Sequence, residues 1–497
     1  MKKIHADGNQ VSPDSAIEIP FSVNLPDPSA SSTPLICEKL LRHLPGKRLA
    51  CLAHWDDKEV FAKLFIDPHN AKRDWQRDAK GTQALHDHGI IAPAILYSGP
   101  LRAAHGEFPK EAYLLIFERI APAQTLLEVW NEGGESIRLG LLSSLVRILA
   151  THHNAGLVHG DLHFANFMAQ GNTIFTLDGG QIAIFSRPVS KPRSLRNLAL
   201  LFAEIPPRYA RSVEELFTDY QTLRGWPHEQ AGIRKLHHYI HAARAHRKHK
   251  ILRKIFRECS AFVCHKQLRR LEVYDRDYDS VQLRRLLDDP DSFLSSTSCT
   301  LIKRGNTATL GIIEIDGRKL VIKRYNIKNF WHACKRALQS TRAAICWRNA
   351  HLLGLYEIST PQPVALLEVR LGPLRSTSYF ISRYVEGPDC AQYFSGDAAL
   401  ADSTAVLKNF SELFDKLAEA RITHGDLKAT NIIISNGQPV LLDLDAVCQH
   451  RFGFRFKKAF ARDMQRFLRN WNKSAVTRRR FEACLPVFVY GPKAPPG

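Results

Sequence analysis

Hydrophobic and polar positions follow one order along this chain, and the order occurs twice. RLACLAHW (Arg48–Trp55), a polar break at Asp56-Asp57-Lys58 and EVFAKLFI (Glu59–Ile66) predict a β-hairpin. LGIIEI, Asp316-Gly317 and RKLVIKRY predict another, since Asp-Gly between apolar strands is the strongest two-residue hairpin signal. IIAPAILYSG (Ile90–Gly99) and ISTPQPVALLE (Ile358–Glu368) then pair as loop-then-strand segments with a proline at matching places. AYLLIFERI (Ala112–Ile120) and SYFISRYVEG (Ser378–Gly387) pair as a strand running into a hinge. Helical spacing follows in both, through Leu141, Leu142, Leu145, Val146, Ile148 and Leu149 in one copy and Leu407, Phe410, Leu413, Phe414 and Leu417 in the other. The pattern predicts an α+β chain of two tandem bilobal domains, each with an antiparallel-sheet N-lobe and a mainly helical C-lobe.

The expected boundaries follow from composition. Residues 1–34, rich in Pro, Ser, Asp and Asn, read as disordered or extended. Residues 35–287 form the first domain, with 181–289 mostly helical in pattern. Asp288-Asp289-Pro290-Asp291 through Ser298 is the linker, 299–490 the second domain with a short C-lobe, and 491–497 a frayed tail. A length of 497 residues suits two cores rather than one.

Polar residues at fixed places within this pattern carry the chemistry. HGDLHFANF (His159–Phe167) returns as HGDLKATNI (His424–Ile432), and each copy is followed by an aspartate that closes an apolar run. Asp161, Asn166 and Asp178 map onto Asp426, Asn431 and Asp443 with both intervals kept. In each copy a short hairpin, turning at Gly171-Asn172 or Asn436-Gly437, would bring the second aspartate back beside the asparagine. An HxDxxxxN loop with a downstream Asp is the base-and-magnesium constellation of a protein-kinase-like phosphotransferase. Asp161 or Asp426 would accept the acceptor hydroxyl's proton, and Asn166 with Asp178, or Asn431 with Asp443, would hold Mg²⁺ on the phosphates of ATP. Lys63 and Lys323, each within an apolar strand, are costly there unless they meet an anion, and the nucleotide phosphates supply one. His159 and His424 read as structural holders of the loop.

The net charge of +20 is the compositional outlier and calls for a polyanionic partner or surface: nucleic acid, anionic membrane or a phosphorylated glycolipid. Its densest stretch, RAHRKHKILRKIFR (Arg244–Arg257), has Ile251, Leu252, Ile255 and Phe256 as an apolar stripe and reads as a C-lobe helix with a solvated basic face, the alternative being a basic amphipathic helix that meets an anionic surface. Ten cysteines without CxxC spacing read as reduced thiols of a cytosolic protein. No run is long and apolar enough to span a membrane, and MKKIHADGNQ lacks the apolar region of a secretory signal.

These residues resemble the lipopolysaccharide kinases of the InaA and Kdo/heptose-kinase type, which have a protein-kinase-like fold. The resemblance is closest in the second repeat, at DGRKLVIKRYN (Asp316–Asn326), RAAICWRNAHLL (Arg342–Leu353), STPQPVALLE and HGDLKATNIIIS with LLDLDA. It implies ATP-dependent phosphorylation of a Kdo or heptose hydroxyl of the lipopolysaccharide inner core or its lipid-linked precursor. The setting it implies is cytoplasmic, peripheral at the anionic inner face of the inner membrane, with no nucleic-acid partner. HGDLHxxN loops also resemble aminoglycoside and choline kinases, so a small-alcohol or protein Ser/Thr kinase and a regulatory pseudokinase remain alternatives. Against the protein-kinase pattern, neither repeat has a GxGxxG loop, leaving cover of the phosphates to backbone and a basic side chain, Lys303 or Arg304. Asp78 stands near the place of the helix acid that pairs the strand lysine, where the second repeat has Cys346-Trp347-Arg348. Lys428 stands two residues after the loop aspartate, where Ser/Thr kinases have a lysine that meets the transferred phosphate; the first repeat has His163. Both sites are expected to bind Mg-ATP, and the second to be the better catalyst.

Overall fold

The computed structural model describes residues 19–25, 33–44, 46–101, 111–259, 261–326, 340–371, 374–395 and 403–486. The expected tail at 491–497 and most of the N-terminal segment lie outside them. The chain divides into two compact units, Met1–Ala245 and His246–Gly497.

The first unit opens on a six-stranded antiparallel sheet, ordered β1-β2-β3-β4-β6-β5, from β1 (Phe21–Val23), β2 (Leu35–Leu44), β3 (Arg48–Trp55), β4 (Lys58–Phe65), β5 (Ile95–Leu101) and β6 (Ala112–Glu118). Within 1–34, expected to be disordered or extended, Phe21–Val23 is a strand paired with Leu35–Cys37. The β3–β4 turn is tighter than the three-residue break expected: only Asp56 and Asp57 lie between the strands, both at positive φ. Alternation sorts the side chains by face. Leu49, Cys51, Ala53, Val60, Ala62 and Leu64 join one apolar cluster, while Phe61 and Phe65 pack with Ala71 and Trp75 of helix α1 (Ala71–Asp87) on the other face. Lys63 shares the face of Phe61 and Phe65, so the strand period aims it at α1.

Below the sheet, α2 (Leu126–Glu132), α3 (Glu135–Asn154), α4 (Lys191–Glu204) and α5 (Ala210–Leu223) bury Leu142, Leu145, Leu149, Leu198, Phe202, Phe217 and Tyr220 in one core. Thr125 caps α2 through a capping box with Glu128. The basic stretch forms the last turns of α6 (Gln230–Lys254), inside which the division between the units falls. Ile255 is fully buried in the second unit's core and Leu252 and Phe256 pack against it, so the apolar stripe is a core face while Lys250, Arg253 and Arg257 stay exposed.

The second unit's sheet corrects the expected boundaries. Its seven antiparallel strands run β12-β13-β17-β18-β16-β15-β14, where β12 (Phe262–Lys266) and β13 (Arg270–Asp275) precede β14 (Thr300–Arg304), β15 (Ala308–Ile315), β16 (Arg318–Tyr325), β17 (Pro363–Leu371) and β18 (Leu374–Arg383). Residues assigned by periodicity to a helical first domain thus pair as strands with the second, β13 lying directly on β17. The expected linker at 288–298 is instead largely helix: α7 (Val281–Asp288) and α8 (Pro290–Ser295) place Leu283, Leu286, Leu287, Phe293 and Leu294 against Leu320, Ile322, Ala365 and Ile381. The cause is physical. The opposite sheet face is covered by the helix Arg342–Gly354, so this one needs its own apolar cover, and the segment before β14 supplies it. The C-lobe rests on the helices Thr404–Glu419, Gly453–Arg469 and Ala475–Ala483, where Phe481 meets Phe410 and Phe467 edge to face. Among the described residues no helix is long and apolar enough to cross a membrane.

Candidate active sites

In the first unit, β9 (Phe167–Gln170) and β10 (Thr173–Thr176) form the short hairpin read from the sequence, turning at Gly171 (φ 58°). Leu177 N–H donates to the Asn166 carbonyl at 2.9 Å, which sets Asp178 beside Asn166. The second unit repeats this with β20 (Ile432–Ser435) and β21 (Gln438–Leu441), where Leu442 N–H donates to the Asn431 carbonyl at 2.8 Å. Asp178 and Asp443 both hold left-handed backbone, φ 59° and 57°. A non-glycine residue kept there needs its surroundings to hold it, and such positions concentrate at functional sites.

The loop histidines are holders, as expected. Each is fully buried; His159 Nε2 meets the Leu177 carbonyl at 3.1 Å and Nδ1 accepts from Asp161 N–H at 3.3 Å. His424 does the same with Leu442 (2.7 Å) and Asp426 (3.4 Å). A ring that donates at one nitrogen and accepts at the other is the neutral tautomer, and burial lowers both pKa values from the ordinary 6.5. The asparagines donate Nδ2 to the loop carbonyls, Asn166 to Asp161 at 2.7 Å and Asn431 to Asp426 at 2.9 Å, which leaves each Oδ1 as an acceptor.

Lys63 is brought to both expected acids. Its Nζ lies 2.8 Å from Asp78 Oδ2 on α1 and 3.4 Å from Asp178 Oδ1. Asp78 is 1% exposed and Lys63 9%. Burial pushes the Asp178 carboxyl up, and Lys63, then Arg48 and His159, more than reverse it, so its pKa lies below the usual 3.8. In the second unit Lys323 Nζ lies 2.5 Å from Asp443 Oδ1, and here too Lys323 outweighs burial and lowers the carboxyl. Among the described residues no helix acid joins it: Cys346 Sγ meets Tyr325 Oη at 3.0 Å, and Trp347 donates to the Ile255 carbonyl at 2.9 Å. Arg342 of that helix instead pairs Asp445, two residues past Asp443.

The Gly179 that stands where the second unit has Leu444 has a packing cause. A Cβ on Gly81 of α1 would stand 1.9 Å from the Gly179 carbonyl oxygen, and one on Gly179 would stand 2.2 Å from Thr82 Oγ1. The helix bearing Asp78 sits against the backbone just past Asp178, and only glycine allows that approach.

Three basic residues at the sites were not singled out from sequence. Arg42 and Arg48 line a cavity of about 430 Å³ in the first unit together with Lys63, Asn166 and Asp178. Ala50, Phe61, Phe117 and Met168 give it an apolar wall, and the hinge residues Glu118 and Arg119 reach its edge. Arg466 approaches Asp426 Oδ1 at 3.0 Å, and its Nη1 also donates to the Gly425 carbonyl at 2.6 Å. Three residues earlier on the same helix, buried Asp463 accepts from Gly425 N–H at 2.9 Å. The only sequence signal was a DxxR spacing on a helix. Lys428 lies 3.3 Å from Asp426 Oδ2, and His163 3.5 Å from Asp161 Oδ2. Lys303 is not brought in: it is exposed on edge strand β14, with no hydrogen bond to Lys323 or Asp443 among the described residues.

An amide oxygen beside a carboxylate suits a hard cation such as Mg²⁺, which completes its shell with water and phosphate oxygens. A sheet lysine paired to that carboxylate, and a loop aspartate five residues before the amide, are the residue types a protein-kinase-like phosphotransferase site uses. The comparisons narrow the class. Residues 299–488 match the model of the lipopolysaccharide kinase (Kdo/WaaP) family. The match indicates a kinase, an enzyme class that uses ATP. A solved structure of WaaP in complex with acyl carrier protein is 19% identical with a TM-score of 0.32, covering 42% of this chain and 88% of that one. No curated protein sequence matches the chain.

Proposed function

We propose that this protein uses Mg-ATP to phosphorylate a sugar hydroxyl of the lipopolysaccharide inner core, Kdo or heptose, or of its lipid-linked precursor, and that its two units are tandem kinase-like domains. The acceptor lies at the cytoplasmic face of the inner membrane. The observation that carries this reading is the recurrence of lysine, loop aspartate, asparagine and left-handed aspartate in both units, one of them inside the family match.

In the second unit, Asp426 takes the acceptor hydroxyl's proton as the oxygen attacks the γ-phosphorus and the bond to the β–γ bridging oxygen breaks, ADP leaving. Its carboxylate is held between Lys428 and Arg466, which fix where it points. Lys428 then meets the transferred phosphoryl oxygens, and Lys323 meets the α- and β-phosphates in exchange for part of its contact with Asp443. Asn431 and Asp443, and in the first unit Asn166 and Asp178, would hold Mg²⁺, which offsets the charge of the nucleotide phosphates. The first unit, with its closed Lys63–Asp78 pair and its cavity, binds nucleotide, while Asp161 has only a histidine at the place of Lys428. The second unit is the stronger catalyst.

The test is γ-phosphate transfer to dephosphorylated lipopolysaccharide core by wild type, Asp161→Asn and Asp426→Asn. Asp426→Asn is expected to lose about 10²-fold or more, the usual worth of a positioned base, and Asp161→Asn less. Transfer to peptide or aminoglycoside but not to core would overturn the acceptor, and full activity of Asp426→Asn would overturn the assignment of the base.

A further inference from the structure

The turn that leads into the helix Gly453–Arg469 leaves two large aromatic side chains in solvent. Phe454 is 71% exposed and Phe452 48%, and their rings lie 6.1 Å apart. The same helix buries Phe456, Phe460 and Phe467, so the unit had room to bury phenylalanines on this element and did not bury these two. Arg451 lies over the Phe452 ring and Arg455 over both rings, at 5.6–5.7 Å from the centroids. Lys457 and Lys458 follow, both exposed. From Arg451 to Arg469 the sole acid is Asp463, which is buried on Gly425 N–H.

A second basic element adjoins this one. Lys248 donates to Gln449 Oε1 at 2.8 Å, which sets the end of the RAHRKHKILRK helix beside the strand residue just before the aromatic turn. The exposed Lys250 and Arg253 belong to that helix end. The densest run of positive charge in the sequence, whose apolar stripe is used up in the core, therefore adjoins the turn that presents the two phenylalanines. Exposed apolar rings ringed by arginine and lysine, with no exposed acid among Arg451–Arg469, complement a surface that offers negative headgroups and an apolar layer beneath them. A folded acidic protein matches the charge but offers no such layer.

We infer that Phe452 and Phe454, with Arg451, Arg455, Lys457 and Lys458 around them, dock the second unit on an anionic lipid bilayer, the two rings entering the acyl boundary. This rests on the reading of the acceptor as lipid-linked. Arg466 lies on the same helix, so the element that meets the bilayer is also the one that holds Asp426.

The experiment is cosedimentation of the full chain with vesicles of equal parts phosphatidylglycerol and phosphatidylcholine, and with phosphatidylcholine alone. Wild type is expected to partition onto the anionic vesicles, less so as salt rises, and weakly onto neutral ones. Phe452→Ser/Phe454→Ser and Lys457→Glu/Lys458→Glu should each lose about tenfold or more while keeping the wild-type melting temperature, since all four side chains are exposed. Phe452→Ser/Phe454→Ser should also keep its transfer rate on a delipidated, water-soluble core fragment. Equal partition of wild type and either variant, or of wild type onto neutral and anionic vesicles, would overturn the surface. It would do so without touching the proposed reaction, which fails separately if the soluble fragment is not phosphorylated.

Discussion

Lys63 and Lys323 stand at matching places in the two hairpins, yet removing them should not cost the same. Lys63 neutralises Asp78, which is almost fully buried and whose Oδ1 has no hydrogen-bond partner. Lys63→Met strands that charge, so a loss of about 3–5 kcal/mol is expected in urea unfolding of the first unit. Lys323→Met leaves only Asp443, whose side chain is 35% exposed, and should cost about 1 kcal/mol or less. Histidines give a pH dependence at the same scale. Burial, with the charges of His159 and His153, pushes His152 down to about 3, and burial pushes His153 down to about 4 despite its bond to Asn197. Both stay neutral when folded, whereas in the unfolded chain they take up a proton near pH 6.5. Stability is therefore complete above pH 6.5 and falls as pH drops toward 4, by about 1.4 kcal/mol per pH unit for each group. Unfolding midpoints measured across that range should show the slope, and His152→Leu should lower it by that one group's share. Asp78 could be picked out from its helix position, because one strand and one helix suffice to place it. Arg466 could not, because its partner Asp426 lies 40 residues away in sequence and the pairing exists only once the helix has docked.

Helices α1 and α3 provide an internal contrast at the scale of the element. Glycine within a helix normally costs about 0.5–1 kcal/mol relative to alanine. Gly140→Ala in α3, where a Cβ meets nothing within 4 Å, should recover that amount. Gly81→Ala in α1 should do the reverse and lose about 1–3 kcal/mol, because the added carbon would sit 1.9 Å from the Gly179 oxygen. Equal effects in thermal melts would show that α1 does not press on the segment after Asp178. The hairpins were readable because their register depends on the alternation of faces and on two turn residues. The strands β12 and β13 were not: Phe262–Lys266 and Arg270–Asp275 are short, polar at the edge and embedded in a helical pattern, and their partner strand β17 lies far along the chain. Likewise α8 looked like a linker because its Asp-Pro composition is that of a turn, and here Asp289 caps the helix that Pro290 begins.

For the molecule as a whole, each unit has its own core and its own lysine, asparagine and aspartate, so nucleotide binding should divide the same way. Mg-ATP at about 100 times its Kd should stabilise the unit it occupies by about 2.7 kcal/mol. Calorimetry with Asp178→Ala and Asp443→Ala should remove that gain from one unit at a time; a wild-type gain in one unit's transition alone would mean that only one site binds. The family match covers 299–488, whereas the second unit's sheet begins near Phe262, so the unit draws two strands and two helices from chain that precedes the match. That division could not be seen in periodicity, because the first and second C-lobes differ in length and the segment between them is claimed by whichever apolar face lies open.

By itself the sequence determined the chemistry: the loop aspartates, the asparagines, the aspartates at the hairpin ends and the strand lysines are set by short-range spacing, which local turns convert directly into proximity. Which acid answers each lysine, which arginine steadies Asp426, why Gly179 follows Asp178, and where one unit ends and the next begins were decided by tertiary packing. Those contacts join elements far apart along the chain and arise only when helix meets sheet, and no local pattern of residues encodes them.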